Sequence, residues 1–385
     1  MTYLNIDDTE LTRLGAIHTA REICQQPNVW GQVWEKVCAR KESVEIFLRT
    51  ALAQSKRIVL TGAGTSAYIG LSLKGLWQRS TGIIAEAIAS TDIVTHPEDF
   101  FHRDIPTLLI SFARSGNSPE STAVLKLADE YCPLCYHLII TCNKDGELAN
   151  YNTSCEKFVF VLPNEANDLS LAMTSSYSGM LLAGVLMARI GEADADKEVV
   201  ARIAGYGERI IGEFAPIVKK ICDSDFNRAF FLGSGSFYGT ATESHLKLQE
   251  LTDGKVICKS DSYLGFRHGP KAVVDEHTLI VYFLSGNKFA ALYEKDLIES
   301  DRGTRPMLEM AVAEGNITGV DKKLGYSFRL DVTGRWRTDD EYLAVCYILL
   351  GQLLGFYKSL RLGLRPDEPS ASGAITRVVE GVNIY

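Results

Sequence analysis

The sequence predicts an α/β protein of two tandem units. Each is a mostly parallel sheet flanked by helices in a flavodoxin-like three-layer sandwich, and a helical N-terminal extension precedes them. Two observations carry this prediction. Short apolar runs alternate with helix-compatible stretches, which marks parallel sheets with helices on both faces. Two pairs of Gly/Ser landmarks also repeat at one offset of about 170 positions: Gly62-Ala63-Gly64 against Gly233-Ser234-Gly235, and Ser115-Gly116-Asn117 against Ser285-Gly286-Asn287. A repeat of this length, in register, signals a duplicated unit.

Residues 1–50 form the extension, with Val33, Val37, Val44, Phe47 and Leu48 at helical spacing and Pro27 expected to break it into two pieces. Residues 51–200 form the first domain, with strands expected at 57–61, 83–87, 107–112, 137–141 and 157–161. The helices between them are expected at 66–80, 119–131 and 145–150, followed by a buried apolar helix from Ser175 to Ile190. A charged helical bridge fills 192–227. The second domain, 215–362, has strands expected near 228–232, 255–259, 278–283 and 328–331 and helices at 238–252, 289–300 and 339–361. The tail, 363–385, is rich in Pro, Ser and Gly and is expected to wrap over the active site.

Composition narrows the function. A net charge of −8 argues against nonspecific nucleic-acid binding and against an anionic membrane surface. No apolar run is expected to reach the roughly 20 residues of a membrane span, and the polar start, Met1 to Glu10, does not resemble a signal peptide. The nine cysteines are scattered. Cys132 and Cys135 form a Cys-x-x-Cys pair, but Pro133 lies inside it and no second pair follows at zinc-ribbon spacing. They are read as small buried residues of a reduced, cytoplasmic protein, with no metal and no cofactor expected.

Chemistry is expected beyond the carboxyl ends of the strands. Gly62-Ala63-Gly64-Thr65-Ser66 leaves a strand and opens a helix, so free N–H groups and two hydroxyls could face an anion there. Steric need at a tight turn would explain the same glycines. The loop is neither a dinucleotide fingerprint, since the third glycine and its acidic partner are missing, nor a Walker A loop. Arg114, Ser115, Gly116, Asn117 and Ser118, followed by Pro119, offer a second set of donors after another strand. Helix N-capping is the lesser reading of those serines and is compatible with phosphate binding.

Glu243, Lys247 and Glu250 share one helical face, where such pairs are ordinarily solvated. His268 lies in Gly265-Phe266-Arg267-His268-Gly269-Pro270, a constrained loop that suits a proton-transfer histidine better than a core one. His96, His245 and His277 lack that setting and read as structural or exposed.

Taken together, Gly64-Thr65-Ser66, Ser111 to Ser118, Ala172-Met173-Thr174-Ser175-Ser176, Leu246 to Glu250, Gly265 to Pro270 and Pro369 to Gly373 resemble the sugar isomerase (SIS) superfamily. Within it the resemblance is to the tandem-SIS tagatose-6-phosphate ketose/aldose isomerases and galactosamine-6-phosphate deaminase/isomerases of the AgaS type. The resemblance implies phosphate held by Ser66, Ser115 and Ser118 with Thr65, Gly64, Gly116, Asn117 and Arg114 around it, and sugar contacts at Thr174 and Ser175. It also implies Glu250 as the catalytic base with Lys247 beside it, and His268 as the ring-opening group, contributed across a subunit interface in a related enzyme. Gln249 and Arg114 depart from that relative's lysine and glutamine, and its C-terminal lysine has only Ser372 and Arg377 as counterparts. The implied substrate is a hexosamine 6-phosphate, and the implied assembly a homodimer or dimer of dimers with the active site at an interface. A simple aldose–ketose isomerase and a non-catalytic phosphosugar sensor are the rival readings.

Overall fold

A computed structural model describes residues 1–300, 305–306, 308–316, 324–378 and 381–385. The chain forms two compact units. The first-sheet unit comprises Asn28–Asp168, Met173–Ala201 and Ile375–Tyr385; the second-sheet unit comprises Met1–Pro27, Leu169–Ala172 and Arg202–Ala374. The N-terminal segment is therefore divided between the units at Pro27, and the tail at Ala374.

The chain opens not in a helix but in a small antiparallel hairpin, β1 (Thr2–Tyr3) and β2 (Ile6–Asp7). Leu4 and Asn5 both take positive φ, 53° and 61°, the backbone a two-residue hairpin turn needs. Helix Ile17–Ala39 then runs through Pro27 without the expected break. Proline removes the N–H that would reach the Ile23 carbonyl, but the Gln26 side-chain amide donates to that carbonyl at 3.2 Å. Gln26 is itself buried against Gln352, amide to amide, at 2.6 Å.

The first sheet contains β3 (Arg57–Thr61), β4 (Ile84–Ala87), β5 (Thr107–Ala113), β6 (Cys135–Thr141) and β7 (Glu156–Val161). All are parallel, in the order β4-β3-β5-β6-β7. β5 is buried at every residue, as an unbroken apolar run in a central parallel strand should be. Order reverses between β3 and β5, which makes the crevice beyond their carboxyl ends the expected ligand position. Helix Ser175–Ala188 is buried almost throughout; Gly179 and Gly184 leave room for Leu162 and Leu73 to pack against it.

The second sheet contains β8 (Arg228–Leu232), β9 (Ile257–Asp261), β10 (Thr278–Phe283), β11 (Leu308–Ala313) and β12 (Tyr326–Arg329). Its order is β12-β11-β10-β8-β9, all parallel. This repeats the order of the first sheet strand for strand, so the duplication is present in topology as well as in motif. β11 was not expected from the sequence, and it sits between β10 and β12.

Helix Asp340–Arg361 corrects the expectation about apolar runs. By length and composition it could cross a membrane, yet 94% of its apolar window is buried inside the protein, as the central helix of a core. It crosses helix Ser236–Leu251 closely. A side chain on Gly351 would collide with Ser244, and a Cβ on Gly355 would lie 2.7 Å from the Lys247 carbonyl oxygen.

Candidate functional site

The two Gly-x-Gly turns are copies of one backbone. Gly64 and Gly235 stand immediately before helices Thr65–Thr81 and Ser236–Leu251, with φ/ψ of 52/−126° and 58/−128°. These values are open essentially to glycine alone. The preceding glycines have a steric reason: a Cβ on Gly62 would lie 2.6 Å from the Ser66 Cβ, and Gly233 meets the Phe237 backbone in the same way. Both turns therefore start a helix abruptly at a strand end, with the first N–H groups pointing outward.

In the first-sheet unit, Thr61 pairs with Ser111 across β3 and β5, so the Gly62–Ser66 turn and the Arg114–Ser118 loop leave adjacent strands at the same end. Thr65 and Ser66 are buried in the first turn of their helix. Ser118 opens helix Pro119–Tyr131 without a side-chain capping bond, so the N-cap reading does not account for its hydroxyl. Ser115 is half-buried; its Oγ accepts from Asn117 N at 3.3 Å. Gly116 takes φ 66°, and its carbonyl accepts from Leu148 N at 2.9 Å. Asn117 is exposed and its Oδ1 caps the next short helix through Glu147 N at 3.0 Å. Buried hydroxyls at Thr61, Ser90 and Ser111 have no hydrogen-bond partner among the described residues, and they surround this end of the sheet.

Sequence reasoning missed Asp168. This fully buried carboxylate accepts from the backbone N–H groups of Thr174 (2.8 Å), Ser175 (3.0 Å) and Ser176 (2.9 Å), and from the hydroxyls of Thr174 (3.0 Å) and Ser176 (2.5 Å). It supplies the N-terminal cap that Thr174 and Ser175 lack, and holds those two residues buried. Arg377 then covers the turn: its guanidinium donates to the Asp168 carbonyl at 2.6 and 3.0 Å, while Arg114 donates to the Arg377 carbonyl at 2.5 Å. Of the two tail residues, Arg377 has a defined place beside Arg114 and Thr174, and Ser372 is exposed.

In the second-sheet unit the solvated reading of the Glu–Lys face is overturned. Lys247 and Glu243 are fully buried and Glu250 is only 14% exposed at its side chain. Lys247 Nζ lies 3.1 Å from Glu243 Oε1 and donates to Glu250 Oε1. The glycine-mediated crossing of helix Asp340–Arg361 is what buries this face. Burial pushes the Lys247 ammonium down, but the two carboxylates more than offset it and hold it above its ordinary value. His245 is half-buried, and that burial pushes it down to about 4, so it is neutral at pH 7. His268 is exposed on a loop shaped by Gly269 at φ 129° and forms no side-chain hydrogen bond among the described residues. All nine cysteines are free thiols, and Cys132 and Cys135 are buried in an apolar cluster.

Comparison with known proteins decides the family. The SIS domain family matches residues 51–189. The D-galactosamine-6-phosphate deaminase AgaS of a Shewanella species is 38% identical, over 98% of this chain and 94% of that protein. The chain belongs to the AgaS family. Solved structures agree with that membership in fold as in sequence. A Clostridium novyi chain assigned to the tagatose-6-phosphate ketose/aldose isomerases superposes with a TM-score of 0.96 at 37% identity, covering 100% of this chain and 99% of its own. The tagatose-6-phosphate ketose/aldose isomerase of Escherichia coli gives 0.85 at 35% identity, covering 96% of each chain. Two parallel sheets of one order, with a Gly-x-Gly turn in each, are thus the architecture of an AgaS-family protein.

Proposed function

We propose that this AgaS-family chain is a deaminating isomerase that converts D-galactosamine 6-phosphate and water to D-tagatose 6-phosphate and ammonia. The observation that carries the reading is the buried Lys247 ammonium paired with the Glu250 side chain at the end of a helix. An enzyme that takes a proton from carbon needs its base held in place, and the pairing with Lys247 supports that role for Glu250.

In this reading the substrate phosphate is held by Ser66, Ser115 and Ser118, with Thr65, Gly64, Gly116 and the helix-opening N–H groups as further donors. Asn117 shapes the loop, and Arg114 adds positive charge. Thr174 and Ser175, fixed by Asp168, line the sugar end. Anchoring the phosphate positions C1 and C2, which is the main proximity gain. His268 moves a proton from O1 to the ring oxygen and opens the pyranose to the aldehyde. Glu250 takes the C2 proton and returns it to C1, while O1 gains a proton and the 2-amino nitrogen gives one up, leaving a 2-imine. Water adds to C2, ammonia leaves and the ketose remains. No redox change occurs, so no cofactor is required.

A second reading, aldose–ketose isomerisation of a 2-hydroxy hexose 6-phosphate, is favoured by the names of the solved relatives. One panel separates the two: glucosamine, galactosamine, their N-acetyl forms and 2-hydroxy hexose 6-phosphates, each scored for ammonia and for ketose. Ammonia and ketose in equal amounts from galactosamine 6-phosphate is the expected result. Ketose from the 2-hydroxy sugar with no ammonia from any amino sugar would replace this reading with the second. Binding without deuterium exchange at C1 or C2 would make the chain a sensor.

The proposal includes a homodimer or dimer of dimers, in the cytoplasm, in which His268 serves the neighbouring subunit. The exposure of His268 supports it, as do the exposed Leu264 on helix Tyr263–Phe266 and Phe289, Leu292 and Tyr293 at the start of helix Ala290–Glu299, which packs against it. Free thiols suit a reducing compartment. Mixing inactive Glu250→Gln and His268→Ala chains is expected to restore activity; failure after verified subunit exchange would put His268 in its own subunit's site.

A further inference from the structure

We propose that Asp129, His137 and Cys155 form a binding site for a zinc-like divalent cation at the amino end of the first sheet, the end opposite the Gly/Ser turns. Three separate elements bring them together. Asp129 lies in the last turn of helix Pro119–Tyr131, His137 is the third residue of β6, and Cys155 immediately precedes β7. Each offers one ligand atom, and the three atoms lie within 4.8 Å of one another. His137 Nε2 and Asp129 Oδ1 are 2.8 Å apart.

The geometry is close to what a cation needs. Zinc ligands at about 2.0–2.3 Å in a tetrahedron stand roughly 3.3–3.8 Å from one another. The contact pair is thus slightly inside that spacing and the widest pair slightly outside it. A thiolate, an imidazole and a carboxylate together select a borderline cation of the zinc type; magnesium and calcium take oxygen ligands. Support for the ligands is also present. The Tyr151 hydroxyl donates to Asp129 Oδ2 at 3.0 Å and orients the carboxylate, as outer groups do in metal sites. His137 is fully buried, while Asp129 keeps 20% side-chain exposure and Cys155 is half-buried, so the cluster lies at the edge of the core within reach of solvent. A cation here would tie the end of helix Pro119–Tyr131, whose start follows the Ser115–Ser118 loop, to β6 and β7. Its contribution would be to the rigidity of that loop's support, outside the proton-transfer chemistry.

The test uses the full chain, purified from chelator under reducing conditions and titrated with Co²⁺. The expected result is saturation at one Co²⁺ per chain, with near-ultraviolet thiolate charge-transfer and visible bands of a tetrahedral ion, and a raised melting temperature with Zn²⁺. Cys155→Ser should lose the charge-transfer band while keeping the turnover and fold of the unsubstituted chain, and His137→Gln should weaken binding at least tenfold. Absence of saturable Co²⁺ binding at micromolar free metal would overturn the proposal. So would a charge-transfer band that survives Cys155→Ser and disappears in Cys132→Ser or Cys135→Ser, which would assign the metal to the other thiol pair.

Discussion

The two units share a sheet order and a Gly-x-Gly turn but treat their second loops in opposite ways. In the first-sheet unit, Ser115-Gly116-Asn117-Ser118 leaves the Ser118 hydroxyl uncommitted to a cap and, among the described residues, the Ser115 hydroxyl bonded only within its own turn. In the second-sheet unit the matching Ser285-Gly286-Asn287 is filled from within. Ser285 Oγ donates to Asp340 Oδ2, Gly286 N donates to Asp340 Oδ1 at 3.2 Å, and Ser285 N donates to Glu294 Oε2 at 3.0 Å. A cluster of N–H and hydroxyl donors at a helix start is a general anion cradle. The second copy satisfies its cradle with its own carboxylates, whereas no carboxylate bonds the Ser115 or Ser118 hydroxyl among the described residues, as the proposed phosphate site requires. The second unit in turn pairs charge inside the fold at Glu243, Lys247 and Glu250, where the first has Ser72, Leu76 and Arg79 at the same offset from its Gly-x-Gly turn.

The largest expected effect tests the chemical half of this contrast. Glu250→Gln should lower kcat on galactosamine 6-phosphate by about 10²–10⁴-fold with KM little changed, because the amide keeps the shape but not the basicity. Wild-type turnover would remove Glu250 as the base. Next in size, Lys247→Met should destabilise the chain by roughly 3–5 kcal/mol in urea unfolding, since it leaves two buried carboxylates without their cation. The pH dependence has a definite sign. The folded ammonium lies above its ordinary value of 10.5, so the stability it contributes is complete below that pH and declines as pH rises through the higher folded value. A stability gap between variant and wild type that instead closes between pH 5 and 8 would contradict a charged Lys247.

A smaller effect tests the phosphate half. A hydrogen bond to a charged group contributes about 1.5–3 kcal/mol, so Ser118→Ala should raise KM roughly ten- to a hundredfold. Ser285→Ala, its neighbour in kind in the other unit, should leave KM unchanged and alter only the melting temperature. Equal effects on KM at the two positions would end the distinction between an open and a filled cradle.

Much of this was legible in the sequence, and the exceptions have physical causes. β3, β8 and β10 fall at the expected residues because each is an apolar run closed by a turn or a Gly/Ser loop. β11 reads Leu-Glu-Met-Ala-Val-Ala, mostly residues that favour helices, and becomes a strand through its position between β10 and β12. The spacing of Glu243, Lys247 and Glu250 is the same on a solvated helix as on a buried one. What decides between them is Gly351 and Gly355 about a hundred residues later, which local pattern cannot connect to them. Asp168 caps a helix that starts seven residues further on, outside any capping-box spacing, and so gave no local signal.

The finest test concerns Glu294, the carboxyl that closes the second cradle beside Asp340. Burial pushes it up to about 8 from an ordinary 4.5, and burial raises Asp340 as well. A carboxyl whose folded value is raised is most compatible with the fold while protonated. Glu294 therefore costs nothing below about pH 4.5, and the stability of the chain falls as pH rises from there through 8. Glu294→Gln keeps an oxygen to accept from Ser285 N but cannot ionise. Melting curves of the two proteins should coincide near pH 4.5 and separate by a few degrees by pH 8, with the variant the more stable. Parallel curves would mean that Glu294 stays ionised against Ser285, and that the second cradle holds a charged anion of its own, as the first is proposed to hold the substrate's.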